Sequence, residues 1–450
     1  MKRIVRLGLV LAGSAPLLFG SIPHKRPVDY LQSYLNGGAD AKPLFVCTRQ
    51  SPERYRCRAE NYTQRSESDD LKIGKTRLFF DVKVLDPILK GGVAAAYEKE
   101  LETDEKIERQ LDAMPIRDGL QRAMERKRLE KRYLYDSSVR KEVSRKLFEG
   151  LEEAVVEKFA YTDLKSGDSI RVERLHYKNG WKRSDGRFLF PFRILGDLSI
   201  DFQGLSAPDS TNRPQKKGIK EISALLKSIT PPGVKPIGAE TIDYINRSTK
   251  SLLPGSERLS DGEIVVTNRA IDAGSLESTL RSHTDDPLYG KTHTTMQLRL
   301  FNVRGLLGDP AAASQSPDLA FDSLEGSLRL KSGYSQKYRA LLARDAKLRA
   351  SVAEVKRYIH EVRAYYEKAS QNRGLHRFLD SFERTVDGWL EGRTDTLSLQ
   401  IRNRDGSPFS RIFGEVMAAM MNAKGKESFP GSRLVELFFD HFSVEVGSKW

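Results

Sequence analysis

Apolar and polar residues alternate in short runs along much of the chain. Leu78, Phe80, Val82 and Val84 face one way, with Asp81 and Lys83 between them; a period of two predicts a half-buried strand. Ile170 and Val172 open a strand that runs to Tyr177, followed by hairpin signals at Asn179-Gly180 and Asp185-Gly186. Phe188, Phe190, Phe192 and Ile194 alternate next, with Pro191 pointing to a sheet edge. Leu198, Ile200 and Phe202 follow a turn at Gly196-Asp197. The same style returns at Met296, Leu298 and Leu300, at Leu328 and Leu330, at Leu397, Leu399 and Ile401, and at Phe442, Val444 and Val446.

A helical period interrupts these strands twice. Residues 93–159 read as mostly helix, broken at Met114-Pro115 and near Tyr135-Asp136, with Ser137 and Ser138 placed to cap the helix that follows. Residues 335–372 carry a near-heptad seam through Tyr338, Leu341, Asp345, Leu348, Val352, Val355, Ile359, Val362, Tyr366 and Ala369, with Asp345 as one acidic defect. Asn372-Arg373-Gly374 reads as a stop. Leu375, Phe378, Phe382, Val386 and Trp389 then predict a second helix, so 335–391 is expected to form an antiparallel hairpin. The predicted fold class is α+β: antiparallel β-sheets with long helical hairpin insertions, arranged in two similarly planned halves. The boundaries expected are 1–21 for an export signal or N-terminal anchor, 22–205 for one α+β domain, 206–260 for a Pro/Ser/Lys-rich connector with a short helix near 219–228, and 261–450 for a second α+β domain.

The N-terminus changes the picture of compartment. Lys2, Arg3 and Arg6 precede an apolar run from Leu7 to Phe19, and the small residues Gly20 and Ser21 follow. That layout predicts export. Leu18 sits where a small residue is preferred for cleavage, which keeps an uncleaved anchor in play, and the run is shorter than the roughly 20 residues a membrane span needs. Cys47 and Cys57 flank a turn at Ser51-Pro52-Glu53 and fall nearly opposite each other on antiparallel strands, so a disulfide is expected in an oxidising compartment.

Composition narrows the function classes. The 450 residues hold 39% hydrophobic side chains, too many for a disordered chain, and two cysteines, too few for a disulfide-dense mini-protein or a multi-cysteine zinc array. The formal charge is +14, and Arg122, Arg126, Lys127, Arg128, Lys131 and Arg132 crowd one short helix. Those six residues are the candidate contact to an anionic surface. Nucleic acid is disfavoured, because no recognition motif or stacking platform accompanies them.

Linear motifs for chemistry are incomplete. Gly74-Lys75-Thr76 and Gly290-Lys291-Thr292 end like phosphate loops, but Asp69 and Asp285 stand where the first glycine belongs. His360-Glu361 begins a helical zinc motif whose second histidine is replaced by Ala364. Ser138 and Lys141 have serine–lysine spacing without companion motifs. A weak metal candidate remains in His283, Asp285 and His293 around a turn at 287–290. No cofactor is implied.

The expected function is therefore an exported bacterial envelope protein, periplasmic or secreted, or held to the inner membrane by its N-terminus. Its expected role is non-enzymatic: binding an envelope protein partner or scaffolding a complex. A carrier of an apolar, lipid-like ligand is the first alternative, with a phenylalanine-rich sheet as wall. A hydrolase whose site is assembled from distant residues is the second.

Overall fold

The computed structural model describes residues 26–448 apart from 37–43, 66–68, 115–118, 165–168, 182–194, 207–220, 253–259, 287–289, 303–317 and 423–429, and apart from single positions at 222, 225, 228, 229, 251, 273 and 332. The N-terminal segment 1–21, expected as an export signal or anchor, and the Phe188–Phe192 run lie outside the described residues. Twelve strands follow one another in a single antiparallel sheet: β1 (Val46–Ser51), β2 (Arg54–Arg65), β3 (Asp69–Asp81), β4 (Leu151–Asp163), β5 (Ser169–Asn179), β6 (Gly196–Leu205), β7 (Ser260–Ala270), β8 (Leu276–Asp286), β9 (Gly290–Phe301), β10 (Asp318–Arg329), β11 (Thr396–Asn403) and β12 (Phe442–Gly447). This corrects the expectation of several sheets in two similarly planned halves. Each connection, tight turn or helical excursion alike, returns the chain beside the strand it has just left. The recurring pattern along the sequence is thus the pattern of one meander, in which every strand shares the same two-residue period. Eleven α-helices occur among the described residues, and their excursions follow β3, β6, β10 and β11, positions that match no internal repeat. The chain divides into two compact units, residues 1–165 with 174–179 and residues 166–173 with 180–450.

In the first unit β1 and β2 turn at Pro52-Glu53 and set Cys47 opposite Cys57. The two are disulfide-bonded across a Cα separation of 4.0 Å. Leu31 and Tyr34 of α1 (Pro27–Leu35) join Phe45, Tyr55, Leu78 and Phe80 around the bond in one buried cluster. Val82 and Val84, expected in the strand, instead form α2 (Val82–Leu85). The Asp81 carboxylate accepts from the Lys83 amide at 2.8 Å, and this cap starts a helix where alternation alone reads as strand. The excursion after β3 holds α3 (Gly91–Asp112), α4 (Gly119–Arg132) and α5 (Ser138–Gly150). It stops at Gly150 rather than 159, because Val155, Val156, Phe159 and Tyr161 are β-branched and aromatic residues that pair along β3. Ser137 makes no side-chain cap to α5. The acceptors are carboxylates: Glu100 takes the Val139 and Arg140 amides at 2.9 and 2.8 Å, and Asp136 takes the Ser138 amide at 2.9 Å. Negative charge at a helix N-terminus satisfies its orphan amides and suits its dipole.

In the second unit α6 (Ala239–Lys250) occupies part of the segment expected as a loose connector. The seam of residues 335–372 is two helices, α7 (Tyr334–Arg344) and α8 (Ala346–Ala369). Asp345, an apparent defect in the seam, is the N-cap of α8 and accepts from the Leu348 amide and the Tyr244 hydroxyl, both at 2.9 Å. Asn372 is likewise a start rather than a stop: it caps α9 (Arg373–Leu390) by accepting from the Gly374 and Leu375 amides. Leu348 and Val352 pack with Leu390, while Tyr366 packs with Leu375 and Leu379, so α8 and α9 run antiparallel. The seam's partner is therefore within this chain. Val444 of β12 joins the second cluster, and Thr385 donates to the Val446 carbonyl at 3.4 Å, which seats α9 on the sheet edge. The helices α10 (Phe409–Asn422) and α11 (Pro430–His441) lie between β11 and β12 and carry no expected counterpart.

Candidate functional site

Register across β6–β12 decides which side chains share a face, because directly paired antiparallel residues point the same way. One row runs Leu198, Val266, Leu280, Met296, Leu324, Ile401, Val444, each opposite the next. Leu198 is buried, and the other six are only half-buried. Six inter-strand steps of about 4.8 Å make this an apolar track about 29 Å long. Beside it lies Gly326, which pairs with Thr294 and Leu399. A Cβ built on Gly326 meets nothing within 4 Å, so among the described residues the glycine leaves a notch in the track. At the β6 end the Phe202 ring lies over Gly262, where an added Cβ would come within 2.5 Å of the ring. At the β12 end α9 covers the edge. A strand glycine under open space marks a place where a ligand can approach the backbone.

The opposite face is polar. His283 is paired with His293, and Asp285 with Lys291. The three predicted metal ligands therefore do share one face, with Glu263 beside His283 and Asp261 beside Asp285. The ammonium of Lys291 belongs to the same group of side chains. Among the described residues no set of three or more His, Cys, Asp or Glu side chains is placed to hold a metal ion. Gly74-Lys75-Thr76 lies within β3 and Gly290-Lys291-Thr292 opens β9 with Gly290 at φ +84°, so neither is a loop before a helix. His360 is exposed on α8, with Nδ1 3.1 Å from a Glu383 carboxylate oxygen. The Ser138 hydroxyl donates to Asp136 at 2.9 Å.

A polar cluster without any linear signal joins the end of β11 to α10 and α11. Buried His441 sets Nδ1 3.2 Å from Asp405 Oδ2 and Nε2 2.9 Å from Glu415 Oε2. The Ser407 hydroxyl donates to Asp405 Oδ2 at 2.7 Å. Serine, histidine and acid are all present, but the wiring is wrong for nucleophilic catalysis. The hydroxyl faces the carboxylate, and both imidazole nitrogens are engaged by acids, so no base is left to take the serine proton. The cluster is a clamp. Hydrogen bonds from the Ser407 hydroxyl and amide, and from His441, hold the Asp405 carboxyl down to about 2. A depressed carboxyl contributes stability that is present above its unfolded value of about 3.9 and is lost as pH falls through the folded one. The melting temperature of the second unit is thus expected to drop between about pH 4 and about pH 2, and Asp405→Asn is expected to flatten that slope in melts followed by circular dichroism.

The six basic residues of α4 split into two groups. Arg122 donates to Glu108 and Asp112 at 2.7 and 2.8 Å, and Arg126 binds Asp104, Glu108 and Glu130, so both are turned towards carboxylates on α3 and α4. Lys127, Arg128, Lys131 and Arg132 are exposed. Arg128 has a long contact to Glu125, at 3.7 Å, and Arg132 lies 6.0 Å from the Tyr133 ring centre.

Comparison with known protein families, curated proteins and solved structures finds no match for the chain. The Cys47–Cys57 bond is compatible with an oxidising extracytoplasmic compartment. No described helix is long and apolar enough to cross a membrane.

Proposed function

We propose that the protein is an exported, non-enzymatic binding protein of the bacterial envelope, and that the apolar face of β6–β12 holds the acyl chain of an amphiphile. The observation that carries this reading is the row from Val266 to Val444, apolar at every strand and left half-buried, with the Gly326 notch beside it. Apolar surface of that extent left in partial contact with water is costly unless something covers it. A linear acyl chain can lie along such a row, and each buried methylene contributes about 0.8 kcal/mol. The clamp at His441 and the incomplete motifs offer no competing chemistry. The test is titration with a fluorescent long-chain fatty acid. Gly326→Leu fills the notch and is expected to weaken saturable binding roughly tenfold, the worth of about two lost methylene contacts, with an unchanged melting temperature. Absence of saturable binding, or binding that Gly326→Leu leaves untouched, would contradict the reading.

A protein partner is the second reading, favoured by α10. Phe409, Phe413 and Met417 recur every fourth residue and are 61%, 53% and 43% exposed, with Phe409 stacked on Phe413. A self-associating helix face of this kind predicts a concentration-dependent dimer in sedimentation that Phe413→Ser abolishes.

A further inference from the structure

We infer that α4 and the turn after it form a docking surface for a membrane rich in anionic lipid. Two kinds of side chain meet there. Lys127, Arg128 and Lys131 recur at three- and four-residue spacing and so share one face of the helix, with Arg132 beside them, and all four are exposed. Among the described residues Lys127 and Lys131 have no carboxylate within ion-pair distance, whereas the inward arginines of the same helix are fully engaged by Asp104, Glu108, Asp112 and Glu130. The helix thus sorts its cations: one set holds the bundle together, the other faces out.

Apolar residues stand among the outward cations. Met124, one turn before Arg128, is 58% exposed, and Leu134, in the turn that follows the helix, is 89% exposed. Leu134 is held there. Tyr133 and Tyr135 on either side pack against Ile107, Leu111 and Leu129, and their hydroxyls are bonded by Gln110 at 2.6 Å and Arg140 at 3.1 Å. Leu134 itself has φ of +48°, a left-handed conformation unfavourable for a branched side chain. The fold therefore fixes a leucine outward between two anchored tyrosines, next to four cations. A polyanion such as nucleic acid would meet the cations and leave Leu134 in water. A lipid surface satisfies both, because headgroup phosphates neutralise the lysines while Met124 and Leu134 enter the acyl boundary.

The test is co-sedimentation of the full chain with vesicles of phosphatidylcholine alone, or of phosphatidylcholine and phosphatidylglycerol in roughly equal parts. Binding is expected only to the anionic vesicles and is expected to weaken with salt. Each cation near such a surface is worth about fivefold in partitioning, so Lys127→Glu/Lys131→Glu is expected to lose at least about 25-fold. Leu134→Ser is expected to lose roughly tenfold, and Lys127→Arg/Lys131→Arg is expected to bind as the parent does. All three changes are at exposed positions, and each variant's melting temperature and fatty-acid binding serve as controls for folding. The inference is overturned if the chain ignores anionic vesicles, if the charge reversal leaves binding intact, or if Leu134→Ser binds as tightly as the parent, since the last result marks a generic polyanion site.

Discussion

Replacing both Cys47 and Cys57 by serine is expected to lower the stability of the first unit by about 3–5 kcal/mol. The bond closes a loop of 10 residues, and in the chain-entropy account a constraint of that length contributes about 3 kcal/mol by restricting the unfolded chain. The remainder comes from burial. Cys57 is fully buried and Cys47 nearly so, in the same cluster as Leu31, Tyr34, Phe45 and Tyr55. A serine hydroxyl in place of the Cys57 sulfur costs about 1–2 kcal/mol if nothing accepts its proton. The double alanine variant separates the two parts, since it removes the constraint without adding a hydroxyl. Guanidinium unfolding read by hydrogen exchange at residues 46–58 measures the change. Equal stability of the oxidised and reduced protein would show that the bond plays no part in holding β1 to the core.

The second large effect concerns binding. Met296→Asp is expected to abolish acyl-chain binding, a loss of at least about 100-fold. Met296 sits at the middle of the apolar row, between Leu280 and Leu324. A carboxylate there keeps its water shell only by holding the chain away from its neighbours, and several methylene contacts disappear together. Stability is expected to change little, because the position is half-buried and the aspartate retains access to water. Gln297→Asp is the matching control. It lies one residue along β9 and therefore on the polar face, and it is expected to leave fatty-acid binding unchanged.

Much of the strand content is legible from the sequence, since a period of two survives wherever one face is apolar. Cys47 and Cys57 are readable as a pair for the same reason: a short turn fixes register, and register fixes opposition. What alternation does not carry is strand order. Nothing in the sequence distinguishes one meander of twelve strands from two smaller sheets, because hairpin connections look alike in both. Capping side chains account for several of the misread boundaries. Asp81, Asp345 and Asn372 each start a helix by taking backbone amides, and a polar residue in that role reads as a defect or a stop when only periodicity is followed. The apolar track is a different case. Met296, Ile401 and Val444 are individually visible in their strands, but their alignment into a row depends on pairing partners far apart in sequence, such as Leu324 and Ile401. The split between inward and outward cations on α4 is hidden similarly, since the carboxylates that claim Arg122 and Arg126 belong mostly to α3. The His441 clamp draws on three separated segments, with His441 36 positions after Asp405.

Native mass spectrometry of the purified full-length protein, followed by methanolysis and fatty-acid analysis of the same sample, tests the binding claim most directly. Mass beyond that of the polypeptide, released as acyl methyl esters and missing from Met296→Asp purified in parallel, is the predicted result. A bare polypeptide mass with no fatty acid in the extract, from protein produced in lipid-replete cells, would contradict it.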